Sequence, residues 1–361
     1  MTPRNFVYLA VAAALSVLFA VVSYASNNQW SAGTAGGDNL FPKLTSNASQ
    51  IATVEVRQGD KDVVLERAGG GWVVKNRGGY PADPVKVRTL LVRLADADLI
   101  ERKTTRPDRY AALELDDPAG KDTKSRLVKM TGGNGNVMGE VVLGKRRFDV
   151  LGTGKGGTYV RKPGDPQTWL ANAEIEAPAA VKDWVNTSVF TADPGKISRV
   201  TIEIPSEEPL RIEREQVPQD NKDKDAKDAK DQPAPASQPK LQFTGFPPQG
   251  KKLKDASAAD AIARALASID MEDVRKADAS LAPNTLSTVT VAVADGPTTT
   301  LRLRKDGDAY WLTLAATGEG EAASKAADEL NKRTQGWEFK IPAHKGDSIV
   351  KKRADLLETA S

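Results

Sequence analysis

Residues 51–74 read IATVEVRQGDKDVVLERAGGGWVV, and three short strands lie in that run. Residues Ile51 to Val56 alternate with β-branched side chains, and Val63 to Arg67 form a second strand. Gly69, Gly70 and Gly71 then turn the chain into a third at Trp72, Val73 and Val74. Just beyond, Tyr80-Pro81-Ala82-Asp83-Pro84 opens a helix, with Asp83 as N-cap and Pro84 in the first helical position. Val87, Leu90, Leu91 and Leu94 fall at i, i+3, i+4 and i+7, which is one buried stripe. Further strands at 125–130, 137–143 and 158–161, and a short closing helix near 179–189, complete the pattern. The prediction is an α+β unit, an antiparallel sheet with a helix packed on one face.

A second run repeats the order. Strands are predicted at 197–204 and 210–214, then a helix begins near Ser257, where Ser257-x-x-Asp260 has capping-box spacing. Ile262, Leu266 and Ile269 mark its apolar face. Strands at 288–294, 299–304 and 309–314 and a charged helix at 345–357 follow. Recurrence of this order over about 150 residues argues for tandem duplication. The predicted organisation is therefore a first unit at 48–192 and a second at 193–361. An insertion at about 216–240 interrupts the second unit. Its run from Lys222 to Asp228 alternates in charge, and Pro233, Pro235 and Pro239 follow. Such a composition builds no core, so a solvated loop is expected. Deleting 219–238 should leave the melting temperature nearly unchanged, since shortening a loop costs little entropy.

Ahead of both units, Phe6 to Ala25 is an uncharged apolar run. A helix rising ~1.5 Å per residue over that length crosses a ~30 Å hydrocarbon layer. Arg4 precedes it, the next charged residue is Asp38, and the first basic one is Lys43. Positive charge on the N-terminal side alone gives a cytoplasmic N-terminus and an extracytoplasmic, periplasmic bulk, held at the inner membrane. Tyr8 suits one interface, and Tyr24 and Trp30 the other. A cleaved signal peptide, with Ser23-Tyr24-Ala25 as its small-x-small site, is the competing reading. Ala12, Ser16 and Ala20 form a stripe of small residues suited to contact with another membrane helix. Residues 26–47, rich in Ser, Gly and Asn, read as a flexible tether. A reporter fused after Leu357 should be active only outside the cytoplasm.

Composition narrows the function. There are 361 residues, no cysteine and one histidine, His344. Disulfides, thiolate chemistry and His-rich metal centres are excluded, and no cofactor is expected. Lys and Arg total 51 against 48 Asp and Glu, a net charge of +3 with the signs interspersed, which argues against nucleic acid as a partner.

Trp72, the Tyr80-Pro81-Ala82 helix entry, Tyr110 and Leu113 before Pro118, and Leu143-Gly144 followed by Tyr159-Val160-Arg161 resemble the bacterial domain-of-unknown-function 4340 family. The resemblance implies a membrane anchor and an exported repeat. Some members of the family accompany ABC-type export systems linked to gliding motility, which implies an auxiliary envelope role beside ABC-type transporter components. It supplies no catalytic residue. The second half lacks a clear Tyr-Pro-Ala entry.

No catalytic constellation emerges from the residues themselves. Gly152 to Gly157 is glycine-rich, but it leads into a strand and lacks the Gly-Lys-Ser/Thr ending of a phosphate loop. Asp116 and Asp117 precede Pro118, where turn chemistry explains them. The densest basic group is Lys145, Arg146 and Arg147 with Arg161 and Lys162. Strand alternation sends Lys145 and Arg147 to one side and Arg146 to the other, so about three charges converge with Arg161, enough for a weak, salt-sensitive contact. Trp72, Tyr80 and Tyr110 read as core aromatics or as a sugar platform. The leading expectation is a non-enzymatic, membrane-anchored accessory or scaffold protein. The alternative is a binding module for an anionic envelope lipid or glycan, with Lys145, Arg147 and Arg161 as its contacts.

Overall fold

The structure is a computed structural model that describes residues 38–149, 156–215 and 240–358. It combines α-helices with sheets whose strand pairings are antiparallel. Two compact units divide at Asp183/Trp184, and Arg77–Tyr80 groups with the second.

The first unit holds a ten-stranded sheet. Its strands are β1 (Asp38–Asn39), β2 (Ile51–Gln58), β3 (Lys61–Ala68), β4 (Gly71–Val74), β5 (Tyr80–Pro81), β6 (Asp98–Arg102), β7 (Arg126–Gly132), β8 (Val137–Arg147), β9 (Gly157–Arg161) and β10 (Thr168–Ala171). They lie in the order β1-β6-β10-β9-β8-β7-β2-β3-β4-β5. Register sets Val63, Val56, Val128 and Val141 opposite one another across four strands, and all four are fully buried. Helix α1 (Leu44–Asn47) precedes β2, and α2 (Pro84–Ala95) follows β5. The Asp83 side chain accepts the Val85 amide at 2.9 Å, so the cap forms, and Val87, Leu90, Leu91 and Leu94 are buried. One expectation fails here. Residues 38–47 are no flexible tether, because β1 pairs with β6 and Leu40, Phe41 and Leu44 are buried. The Ser/Gly/Asn composition of the wider stretch hid an apolar anchor of three side chains.

The second unit begins with β11 (Ser188–Thr191), where the sequence suggested a closing helix for the first; only a turn of 3-10 helix, Val181–Asp183, stands nearby. It continues with β12 (Ile197–Glu203), β13 (Leu210–Arg214), β14 (Leu241–Thr244), helix α3 (Ala258–Leu266), β15 (Ser268–Asp270), β16 (Asp273–Lys276), β17 (Thr285–Val293), β18 (Thr298–Asp306) and β19 (Ala309–Thr317). Helix α4 (Glu321–Thr334), β20 (Trp337–Ile341) and helix α5 (Ala343–Ile349) complete it. Eight strands run β14-β13-β12-β17-β18-β19-β20-β16, and β11 pairs with β15. The expected capping box at Ser257 does not form: the hydroxyl bonds Asp255 instead, at 2.7 Å. The expected helix at 345–357 is shorter, ending at Ile349 before a 3-10 turn at Arg353–Leu356.

The apolar segment from Phe6 to Ala25, with Ala12, Ser16 and Ala20, lies outside the described residues, as does most of the insertion. Among the described residues no helix is long and apolar enough to cross a membrane.

Within the second unit the Tyr310 hydroxyl donates to the Asp347 carboxylate at 2.7 Å. That bond, then burial and the carboxylate's charge, raises the phenol above its ordinary value of 10.0. The folded state thus holds this proton more tightly than the unfolded chain. The contribution to stability is fully present below the unfolded value and is lost as pH rises through the folded one. Tyr310→Phe should flatten the alkaline fall in melting temperature, measured from about pH 9 upward.

Candidate functional site

A β-bulge in the first unit decides where the basic residues point. Along β8 and β9, Val142 faces Arg161 and Leu143 faces Val160, but the next pairs are Arg146 with Thr158 and Arg147 with Gly157. Gly144 and Lys145 together therefore stand opposite Tyr159. The extra residue reverses the alternation beyond it. Without the bulge, Lys145 and Arg147 would point away from the side of Arg161. With it, Lys145, Arg147, Tyr159 and Arg161 share one face.

Two features hold the bulge. A Cβ added to Gly144 would lie 2.2 Å from the Leu113 carbonyl oxygen and 2.9 Å from Leu115, so glycine lets the 110–115 segment sit directly on the strand. Arg126 then donates from Nη2 to the Gly144 carbonyl at 3.0 Å. Burial holds the Arg126 guanidinium below its ordinary value, with Glu114 opposing the shift and Arg146 adding to it. The covering segment contributes Tyr110 and Leu115 to a small apolar cluster with Val142, against which Leu113, Leu127 and Tyr159 pack.

On this face Tyr159 is flanked by the ammonium groups of Lys103 and Lys145, at 5.8 and 6.0 Å from its ring centre. Arg161 lies 4.9 Å over the Tyr110 ring. Its Nε is directed at the Leu115 carbonyl, so it also clamps the covering segment. Arg147 is exposed at the end of β8. Arg146, sent to the other side, pairs with Glu176. Lys162 stands apart, its ammonium 6.0 Å from Phe41. Lys103 completes the group and was missed in the sequence, because it follows β6 far from the Lys145 run. Its amide bonds the Thr168 carbonyl, and Thr168 faces Arg161. Lys103 is ion-paired with Glu101 at 2.5 Å.

The second unit disposes of its charge differently. Glu338 on β20 is buried and accepts two bonds from Arg304, at 2.8 and 2.7 Å, and one from Arg275 at 2.8 Å. Arg275 also reaches Asp306 and lies 3.6 Å over the Trp311 ring. Two cations there meet two carboxylates.

The other sequence candidates resolve individually. Asp117 caps a turn through the Ala119 amide, and Asp116 accepts from Thr123. Residues 156–157 of the glycine-rich segment lead into β9. His344 is exposed on α5. Trp72 and Tyr110 are buried, the latter with its hydroxyl on the Pro166 carbonyl at 2.7 Å. Tyr80 groups with the second unit, its ring edge-on to Trp337. These three aromatics form no common platform.

Fold and site define a two-unit α and β protein with a cationic face and no assembled catalytic set among the described residues. The chain belongs to the family described as domain of unknown function DUF4340, whose profile matches residues 72–288. No curated protein and no solved structure matches it.

Proposed function

We propose that this is a non-enzymatic, membrane-anchored extracytoplasmic accessory protein, auxiliary to an ABC-type envelope system, whose first unit engages an anionic group. The observation that carries the binding role is the bulge, which turns Lys145 and Arg147 onto the side of Arg161, Lys103 and Tyr159. Four cations gathered on one side, Lys145 and Arg147 exposed and Lys103 and Arg161 half-buried, make a face that attracts anions weakly and in a salt-sensitive way. Co-purification from gently solubilised membranes tests the reading. Defined membrane proteins, lost when Lys145 and Arg147 become serine, support an accessory role. Lipid or glycan lost in the same variant favours the second reading, a binding module, which the half-buried Tyr159 ring between two ammonium groups suits. Retention unchanged by the substitutions contradicts both.

Tandem duplication of the units is part of the same proposal. What supports it is the strand order: β6-β10-β9-β8-β7-β2-β3-β4 in one unit parallels β16-β20-β19-β18-β17-β12-β13-β14 in the other. Details agree as well. Each first long strand has a register shift at its second residue, between Ile51 and Thr53 and between Ile197 and Arg199. Each has an arginine from the next strand, Arg67 or Arg214, donating to the carbonyl of its first residue. The main departure is α4, inserted between β19 and β20 where the first unit has a short turn.

A further inference from the structure

Helix α2 is apolar over a wider arc than its core contacts require. Beside the buried stripe, Val85 and Val92 stand 68% and 49% exposed, two of the four large exposed hydrophobics among the described residues. Together with Arg88 and Ala95 they follow i, i+3, i+7, i+10 spacing and so form one line along the helix. That line is one wall of an open groove of about 660 Å³ within the first unit. The 45–49 segment and the β3–β4 turn, with Trp72, supply the rest.

Three features identify the occupant. First, the charge is one-sided: α2 carries Lys86, Arg88 and Arg93 and no acid, and Arg67 enters the groove from β3, with Asp96 at the helix end the only carboxylate in the lining. Second, Gly71 lines the groove with no positive φ, and a Cβ there meets nothing within 4 Å. Neither backbone nor packing demands glycine at that point, and as glycine it leaves that part of the rim open. Third, the groove is bounded by one helix and two short segments. The volume falls within the range of small-molecule clefts, which are apolar with a few placed polar groups.

We propose that this groove binds a single acyl chain bearing an anionic head group. The chain lies along Val85, Leu91, Val92 and Trp72, and the head meets Arg88 and Arg67. Burial of methylenes drives binding, and the guanidinium groups select a carboxylate or phosphate head over a neutral or cationic one. The site is separate from the Lys145 face and does not depend on it.

The test uses the full-length chain in its membrane and a photoreactive hexadecanoate with a diazirine in its tail. Crosslinks mapped by peptide mass should fall in 84–96 and 69–72. A photoreactive hexadecylamine should label those peptides about tenfold less, the discrimination expected for a few charge-assisted contacts. Arg88→Glu, and separately the exposed pair Val85→Asp and Val92→Asp, should each remove the label with no change in melting temperature. If one of these fails to fold, the other decides. Competition by unlabelled dodecanoate against dodecyl phosphate tells a fatty-acid source from a phospholipid-like one, and success of either supports the shared chemistry. Equal labelling by the amine, or labelling of 84–96 that survives both folded variants, would overturn the proposal.

Discussion

Replacing Glu338 with alanine is expected to cost the second unit about 3–5 kcal/mol, the usual penalty for breaking a buried ion pair from one side. The carboxylate is only 6% exposed, and three bonds from two arginines converge on it. Removing it leaves Arg304, itself 11% exposed, charged with its main partner gone. Asp306 belongs to the same network but is 52% exposed, so Asp306→Ala should cost no more than about 1 kcal/mol. Denaturant unfolding of the two variants measures the contrast. Equal losses would show that burial does not set the worth of Glu338.

The second large effect is expected at Gly144. Valine there must displace the Leu113 carbonyl, a backbone atom with no rotamer to change, and overpacking of this kind costs about 1–3 kcal/mol or more. The consequence goes beyond stability. Lifting the 110–115 segment releases Arg161 from its clamp and frees the bulge to relax, which would turn Lys145 and Arg147 away from Tyr159. Gly144→Val should therefore lose anion binding together with thermal stability. Gly133→Ala, in the β7–β8 turn with open space at its Cβ, should lose neither. Melting curves paired with binding of an immobilised polyanion check both effects.

Much of this fold was legible in the residues, for reasons that also explain what was not. The 51–74 strands and the Asp83-capped helix announced themselves because β-branched alternation, a glycine turn and an N-cap all agreed. Helix α4 passed unnoticed because its buried face is built mainly of alanine, Ala323 and Ala327 with Leu330 and Thr334, which gives little hydrophobic contrast. Strands β10 and β14 span four residues each and β20 five, and β14 directly follows the charged insertion. For the site, alternation correctly separated Arg146 from Lys145 and Arg147. The side on which Arg161 stands depends on a bulge, which periodicity cannot count. Two glycines within the strand run, Gly139 and Gly144, were the available signal, and each stands beside a register shift. Lys103 carried none, since it is brought to the site by pairing between strands distant in sequence.

The cationic face of the first unit is tested most directly by retention of the full-length chain on immobilised heparin across a salt gradient. The net charge is only +3, so uniform attraction is small and a local cluster should dominate. Lys145→Glu with Arg147→Glu is compared with Arg211→Glu with Arg302→Glu, an equal charge change at exposed positions of the second unit. The first pair should elute at clearly lower salt than the unaltered chain, and the second pair close to it. Equal shifts in the two variants would mean that retention follows net charge alone, and would contradict a binding face built by the Gly144 bulge.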